Sequence, residues 1–192
     1  MGIGYKWRRL YPIYGKIAGV YDRTSRVVTL FLIDGWRKSI VMSLAPLLPR
    51  GARVLDAGAG PGIMSGLLLS ARGDLNMLLM DQSIDMLLMA PRDLDKVVAS
   101  FEEPPLRPAS MHAVDNGFIG WLGRLYTMYI IPFLAFLVAG RRNASYFREI
   151  NTIYDAMPPN RKLKELMETR FSTIRWTPRG LGTVFEYVGV KR

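Results

Sequence analysis

Apolar and polar residues alternate along the first half of the chain in blocks expected of successive strands and helices. Residues 12–47 carry apolar side chains at helical spacing, which predicts a helical region ahead of the core. Beyond it, short apolar runs predict buried strands, and the segments between them predict helices. The predicted strands are 53–56, 75–81 and 96–99, and the predicted helices are 63–70 and 83–90, the second capped by Ser83. This alternation indicates a parallel, doubly wound sheet.

The second half of the chain has fewer strand signals and more helical ones. Met111–Asn116 is a short run that predicts a fourth strand, and the apolar segment Leu125–Gly140 predicts a buried or interfacial helix. The remaining predicted elements are two amphipathic helices, 144–156 and 162–169, and a hairpin of 171–177 and 183–190 around a turn rich in proline and glycine. The hairpin is expected to close the sheet in antiparallel fashion.

These elements fit a single domain, and 192 residues is the size of one. We expect an α/β fold: a Rossmann-like doubly wound sheet with N-terminal helices, a helical lid and an antiparallel C-terminal hairpin. Its expected parts are the N-terminal helices (1–50), the binding core (51–117), the lid (118–170) and the hairpin (171–192).

The composition narrows the chemistry. Hydrophobic residues make up 49% of the chain and charged residues 22%, so it can bury a core. It has no cysteine, which excludes disulfides, thiolate catalysis and iron–sulfur clusters. His112 is the only histidine and lies in a short apolar run, so we expect neither a metal site nor a Ser-His-Asp triad. The lack of cysteine and the excess of arginine (19) over lysine (7) indicate a thermophilic source.

The net charge of +10 is concentrated at the two ends of the chain. Residues 1–53 hold ten basic and two acidic side chains, residues 54–115 hold four and nine, and residues 116–192 hold twelve and five. Basic surfaces favour polyanions, so anionic membrane and nucleic acid are both candidate partners, beside an ordinary solvated surface.

One apolar segment, Phe118–Gly140, approaches the roughly 20 residues that a membrane span needs. Arg124 interrupts it and leaves fifteen residues, Leu125–Ala139, with Pro132 among them. We therefore expect a buried or interfacial helix. The first twenty residues lack the apolar core and cleavage site of a secretory signal, so we expect a cytoplasmic protein in peripheral contact with the membrane.

The clearest chemistry lies in the glycine-rich run Val54-Leu-Asp-Ala-Gly-Ala-Gly-Pro-Gly62. Alternate glycines let the backbone turn tightly and let a ligand approach its N–H groups. A dinucleotide fingerprint would need Gly or Ala at Ile63, and a P-loop would need Lys followed by Ser or Thr, so neither motif is present. Asp56, two residues before the first glycine, suits a ligand with a cationic amino group.

A second carboxylate, Asp81, ends the next predicted strand, 21 residues after Gly60. A carboxylate in this position can accept both hydroxyls of a ribose, so the two features indicate a nucleoside site at the carboxyl ends of the strands. The alternative is structural: a tight glycine turn, and an acid that caps the helix beginning at Ser83.

With these motifs the chain resembles the class I S-adenosylmethionine-dependent methyltransferases, whose first motif looks like VLDAGAGPG. Within that class it is similar to the ubiquinone/menaquinone biosynthesis C-methyltransferase family. The similarity extends nearly from end to end, through Tyr14–Asp22 with Trp36-Arg37, the run Asp81-Gln-Ser-Ile-Asp-Met-Leu, Leu125–Gly140 with Tyr146, and Gly180–Lys191.

The resemblance implies S-adenosylmethionine as the cofactor and a set of residues around it. Asp56, Gly58, Gly60, Pro61 and Gly62 would surround the methionine moiety, Asp81 would hold the ribose with Gln82 beside it, Ser100 and Phe101 would flank the adenine, and Gly117 would face the cofactor. Family members usually carry Asp or Asn at the position of Ser100. Because a hydroxyl binds the adenine amino group less strongly than a carboxylate does, lower cofactor affinity is expected.

The chain departs from the family after Phe118. Nothing in Gly117–Arg124 matches the polar active-site stretch, the helix and the strand that relatives carry there, so the sheet is expected to lack its fifth strand. The last strand would then pair directly with Met111–Asn116, or a homodimer would complete the sheet. The family's Arg-Asn pair near the substrate is lost with this stretch, and no catalytic base is identified.

The resemblance implies carbon methylation of a quinone, including a prenylated one, or of another small apolar acceptor. Two alternatives stay open: a catalytically impaired protein that binds the cofactor or a partner, and an RNA methyltransferase, which the basic ends favour. His112, Asp115 and Asn116 lie on or just after the fourth predicted strand, where a structural role competes with substrate contact. The lid side chains Tyr126, Met128, Tyr129, Phe133 and Phe136 are expected to be core, with a cover for a prenyl tail as the alternative.

Overall fold

The computed structural model describes residues 3–99, 125–151, 160–169, 171–179 and 184–191. Its helices are α1 (Ile3–Val28), α2 (Leu32–Leu44), α3 (Ile63–Ala71), α4 (Ile84–Leu88), α5 (Ile131–Asn151) and α6 (Asn160–Glu168). Its strands are β1 (Arg53–Ala57), β2 (Asn76–Asp81), β3 (Asp95–Val98), β4 (Phe171–Arg179) and β5 (Val184–Lys191). A 3-10 turn at Ala45–Leu47 follows α2, and a π-helical turn at Tyr126–Ile130 precedes α5.

The first three strands form a parallel sheet in the order β1-β2-β3. Each strand lies beside the next one along the chain. Helix α3 connects β1 to β2 and helix α4 connects β2 to β3, as the alternating pattern predicted. The fold is therefore mixed α/β, a three-stranded parallel sheet flanked by helices, and it is compatible with a Rossmann-like arrangement.

The core lies on one face of this sheet. Met77 and Leu79 of β2 are buried against Val41 of α2, Leu68 of α3 and Leu87 of α4. Met77 and Leu79 alternate with exposed residues along β2, so their side chains point to the same side of the sheet. Their burial accounts for part of the apolar run that predicted this strand.

The opposite face of the sheet is exposed. It carries Leu55, Leu78 and Val97, which share this face because Leu55 pairs with Leu78 and Val97 pairs with Met80, two residues further along β2. Parallel sheets are usually covered on both faces. The second helical layer expected of a doubly wound sheet is thus not seen within the described ranges.

The last two described strands pair with each other. Strands β4 and β5 pair antiparallel, with a register shift between Thr173 and Arg175. Among the described strands they form a separate two-stranded sheet, without a ladder to β1-β2-β3. The predicted fourth strand, Met111–Asn116, lies outside the described residues, so its pairing with the last strand and the loss of the fifth strand stay predictions.

Helices α1 and α5 pack against each other in antiparallel orientation. At one end of the pair the Tyr126 hydroxyl donates a hydrogen bond to the Val28 carbonyl oxygen. At the other end the Lys16 ammonium lies 5.2 Å from the centre of the Tyr146 ring. A second apolar cluster, formed by Ile17, Met86, Ala135 and Phe147, joins both helices to α4.

Helix α5 combines two predicted helices in one element. Gly140 has a non-helical backbone (φ 77°, ψ 169°), so the predicted boundary between the apolar segment and the amphipathic one is a kink within α5. Pro132 is the second residue of α5 and follows directly on the π-helical turn, so the helical backbone continues through it. Among the helices that the structure describes, none has the length and apolar character needed to cross a membrane.

The expectation that the lid side chains are core is wrong for four of the five. Met128, Tyr129, Phe133 and Phe136 are exposed. Helix α5 instead buries its other side, through Ile131, Ala135 and Phe147. Apolar residues at helical spacing could not indicate which side of α5 is buried, because α5 carries apolar residues on both sides.

Candidate functional site

The glycine loop between β1 and α3 is folded over the end of β2. The N–H groups of Gly58 and Ala59 both donate to the Met80 carbonyl oxygen, at 2.7 and 3.0 Å. A tight turn follows, in which the Gly62 N–H donates to the Ala59 oxygen at 2.9 Å. Gly58, Gly60 and Gly62 have φ of 75°, 53° and 73°, values that favour glycine over residues with a Cβ. The alternate glycines of the sequence are therefore required by the backbone itself.

Gly62 and Gly60 differ in what surrounds them. A Cβ on Gly62 would lie 2.8 Å from Leu79 Cδ2 and 3.1 Å from the Ala90 Cβ, so close packing also demands glycine there. A Cβ on Gly60 would meet nothing within 4 Å. Open space beside this backbone is what a bound ligand would need, and no packing contact explains the absence of a side chain at Gly60.

Asp81 joins the glycine loop to the start of α4. Its Oδ2 accepts a hydrogen bond from the Gly60 N–H and its Oδ1 accepts one from the Ser83 N–H, both at 2.8 Å. Ser83 in turn caps α4, because its hydroxyl accepts from the Met86 N–H at 3.3 Å. Each carboxylate oxygen can accept more than one hydrogen bond, so these two backbone contacts leave Asp81 able to accept ribose hydroxyls. The structural role weighed from the sequence is thus present, and it is compatible with the binding role.

Asp56 lies in a less polar setting at the end of β1. Its Oδ2 accepts a hydrogen bond from the hydroxyl of Ser65, which is fully buried in α3, at 2.6 Å. Burial raises the pKa of Asp56 above 3.8; the Ser65 hydrogen bonds oppose this shift, and the negative charge of Asp81 adds to it. The two carboxylates therefore lie within electrostatic reach of each other, and a cationic group between them would be stabilised.

Helix α1 packs beside this site, which the sequence alone did not establish. A Cβ on Gly15 would lie 2.5 Å from Asp85 Oδ2 and 3.6 Å from the Ser83 hydroxyl, so α1 contacts the first turn of α4 at a glycine. Burial raises the pKa of the Tyr21 phenol; Arg37 lowers it, and the negative charge of Asp81 raises it further. In the sequence, this contact was indicated only by the segment Tyr14–Asp22, which resembles the N-terminal helices of the methyltransferase family.

The remaining predicted residues divide into two groups. Pro61 and Gln82 are half-buried beside the glycine loop and after β2, in the same region as the two carboxylates. Ser100, Phe101 and Gly117 lie outside the described residues, as do His112, Asp115 and Asn116. Among the described residues, no three His, Cys, Asp or Glu side chains are grouped so as to hold a metal ion.

The structure thus brings together the loop and both carboxylates at the carboxyl edge of the parallel sheet. This edge is where α/β proteins of this type bind nucleotides. Comparison of the chain with protein-family models gives no match, and comparison with curated proteins gives none either. The interpretation of the site accordingly depends on its residues and geometry.

Proposed function

We propose that the protein is an S-adenosylmethionine-dependent methyltransferase that methylates carbon in a quinone or another small apolar acceptor. The observation that carries the proposal is the contact between the two predicted motifs. The Gly60 N–H donates a hydrogen bond to Asp81, so the glycine loop is bonded directly to the carboxylate that would hold the ribose. The pattern of the sequence and the resemblance to the quinone C-methyltransferases supply the identity of the ligand.

The residues fit this cofactor in shape and in charge. The open space at Gly60 leaves room for the ligand to approach the loop backbone. Asp56 would attract the amino group of the methionine part, and Asp81 would accept the ribose hydroxyls. Gln82 would lie beside the ribose, Ser100 and Phe101 would flank the adenine, and Gly117 would face the cofactor.

The chain's own contribution to the reaction is mainly position. When bound, the cofactor supplies a methyl group on a sulfonium, which is a good leaving group. Holding an acceptor carbon in line with that methyl group supplies much of the rate. Where the acceptor is the reduced, hydroquinone form, deprotonation of a ring hydroxyl makes the ring carbon nucleophilic, and that carbon loses its proton after the methyl group is transferred. No residue is assigned as the base. We propose a cytoplasmic location, with peripheral contact to anionic membrane, where a prenylated acceptor would be found.

Calorimetric titration of the full chain with S-adenosylmethionine and with its demethylated product tests the proposal. One site per chain is expected, and Asp81→Ala is expected to weaken binding by about 2 to 4 kcal/mol, since it removes charge-assisted contacts with the ribose. Asp93→Ala is the matched control, because Asp93 is an exposed carboxylate in the turn after α4. Absence of binding to the wild type, or equal affinity in the Asp81 variant, would refute the proposal.

A second control separates ribose contact from loop structure. Asp81 also accepts the Ser83 N–H, so its loss could act by loosening α4. Ser83→Ala removes the cap of α4 and leaves the Asp81 carboxylate in place. If Asp81 binds the ribose, Ser83→Ala weakens binding much less than Asp81→Ala does. Equal losses in both variants would assign Asp81 a purely structural role.

Assays with acceptors separate the enzymatic proposal from its alternatives. Transfer of a methyl group to a demethylquinone in its reduced, hydroquinone form supports the proposal, although we expect turnover far below the median of about 10 per second because the chain departs from the family after Phe118. Binding without transfer to any quinone would favour the impaired cofactor-binding protein. Methylation of RNA, with affinity that falls steeply as salt rises, would favour the RNA enzyme.

A further inference from the structure

The outer side of helix α5 and of the π-helical turn before it carries an apolar stripe. Tyr129, Phe133 and Leu137 follow one another at intervals of four residues and are 64, 59 and 63% exposed. Phe136 lies beside them and is also exposed. Residues at this spacing share one side of a helix. A row of large apolar side chains facing solvent is unusual in a soluble domain and marks a surface that contacts something else.

The turn between α1 and α2 adds a second apolar element at the same end of the α1–α5 pair. Leu30 and Phe31 are 65 and 64% exposed, and Leu32 after them is exposed as well. The Tyr126 hydroxyl bond to the Val28 oxygen joins this turn to the segment that leads into the stripe. We call Leu30–Leu32 together with the stripe the apolar surface.

The apolar turn is held in an unfavourable conformation. Leu30 and Phe31 have φ of 50° and 63°, a left-handed backbone that residues with a Cβ rarely adopt. Backbone hydrogen bonds from Leu30 N to the Val27 oxygen and from Phe31 N to the Arg26 oxygen maintain it. Exposed apolar side chains on a strained turn serve no purpose in packing, and strain of this kind is concentrated at functional segments.

Exposed basic residues flank the apolar surface on α5 and α1. Arg141 and Arg142 follow directly after the kink at Gly140 and are exposed, as is Lys16, which lies over Tyr146 on the neighbouring helix. Residues 125–148 contain no Asp or Glu. Two acids lie near Leu30–Leu32 and both are paired: Asp22 with Arg37 at 2.8 Å, and Asp34 of α2 with Arg26 at 3.2 Å and with Arg37 at 3.4 Å. Negative charge that would repel an anionic partner is therefore absent from α5 up to residue 148.

We propose that this surface docks the protein on an anionic lipid bilayer, with the apolar surface in the interface and the arginines at the headgroups. Apolar side chains flanked by basic ones are the combination by which interfacial helices bind anionic membranes. A dimer through the same surface is the competing occupant, and the oligomeric state of the variant described below distinguishes it from membrane docking. The inference rests on the proposed function for its biological sense, since it names the partner that would present an apolar acceptor.

Vesicle binding of the full chain tests the proposal without any methylation assay. The probes are vesicles of phosphatidylcholine with phosphatidylglycerol, and vesicles of phosphatidylcholine alone, measured by flotation at low and high salt. The wild type is expected to float with the anionic vesicles at low salt and to bind the neutral ones more weakly by at least about tenfold. Phe133→Ser with Leu137→Ser is expected to reduce binding by at least about tenfold.

Two controls keep the outcome specific. Met42→Ser changes an exposed apolar residue on α2, outside the apolar surface, and is expected to bind vesicles like the wild type. Calorimetry with S-adenosylmethionine on the Phe133/Leu137 variant is expected to match the wild type, so that failure of membrane docking and failure of the cofactor proposal are distinguishable. Carbonate extraction of bound protein is expected to release it.

The proposal would be overturned by any of three results. One is that the wild type does not bind anionic vesicles, or binds neutral ones equally well. Another is a wild-type dimer in solution that the Phe133/Leu137 variant converts to a monomer, which would assign the surface to a second copy of the chain. The third is resistance to carbonate, which would indicate insertion across the bilayer.

Discussion

Replacing glycines of the binding loop by alanine separates the demands of packing from those of ligand binding. Gly62→Ala introduces a Cβ at a left-handed residue (φ 73°), 2.8 Å from Leu79 Cδ2 and 3.1 Å from the Ala90 Cβ. Leu79 is fully buried and Ala90 has no rotatable side chain, so neither neighbour can easily withdraw. The variant therefore combines backbone strain with overpacking.

Two other glycines of the chain serve as references for the magnitude. Gly51 has φ of 67° and Gly60 has φ of 53°, and a Cβ on either would meet nothing within 4 Å. Alanine in the left-handed region costs roughly 1–2 kcal/mol, which is the whole expected loss for Gly51→Ala and Gly60→Ala. Overpacking adds about 1–3 kcal/mol at Gly62, so its total is about 2–5 kcal/mol. Against a total stability of about 5–15 kcal/mol, that difference is easily measured.

Urea unfolding followed by circular dichroism measures the loss, and calorimetry with S-adenosylmethionine measures binding. We expect the unfolding midpoint to fall most for Gly62→Ala, with the slope unchanged in all three variants. Gly60→Ala is expected to be about as stable as Gly51→Ala and yet to lose cofactor affinity, because its Cβ occupies the space through which the ligand approaches. Equal stability losses for Gly62→Ala and Gly51→Ala would refute the packing argument, and unchanged affinity in Gly60→Ala would refute the binding argument.

Three further predictions concern Asp56, Arg72 and Ser83. Asp56→Asn is expected to raise the melting temperature at pH 7: burial raises the pKa of Asp56 in the fold, so ionisation costs stability as the pH rises through 3.8, and below that pH the variant and wild type converge. Arg72→Ala is expected to lower the melting temperature well below that of Arg50→Ala, because Arg72 donates to three carbonyl oxygens ahead of β1 and pairs with Asp74 at 2.7 Å. Ser83→Ala is expected to lower the free energy of unfolding in urea by about 1 kcal/mol through loss of the α4 cap; a change within error would contradict that role.

The parallel sheet and its loop were predictable because the signals that define them are local. The strands were placed to within one residue at their starts, since short apolar runs between turn residues have few other interpretations. The cap at Ser83 was also predicted correctly, although α4 ends at Leu88, two residues earlier than expected. Positive φ at Gly58, Gly60 and Gly62 agrees with the reason for which alternate glycines were singled out.

Features that depend on distant contacts were not predictable in this way. The sequence indicated that α5 is apolar, but the side that it buries depends on where α1 lies, and α1 is more than 100 residues away along the chain. The engagement of Asp81 with two backbone N–H groups depends on the path of the loop in space. The sequence pattern therefore identified α5 and Asp81, but the residues that each of them contacts could be seen only in the folded structure.

The two carboxylates of the candidate site and the exposed face of the parallel sheet lie on different sides of the same three strands. Asp56 pairs with Leu79 in register and Asp81 follows Leu79 by two residues, so both carboxylates point to the covered side. The bonds that shape the site run among residues 56–86, from the Ser65 bond to Asp56 through the cap of α4. In the proposal, the departure from the family that slows transfer begins after Phe118, beyond β3 and beyond these bonds. Cofactor binding can therefore persist where transfer is slow, and the two properties have to be measured separately to locate a loss of activity.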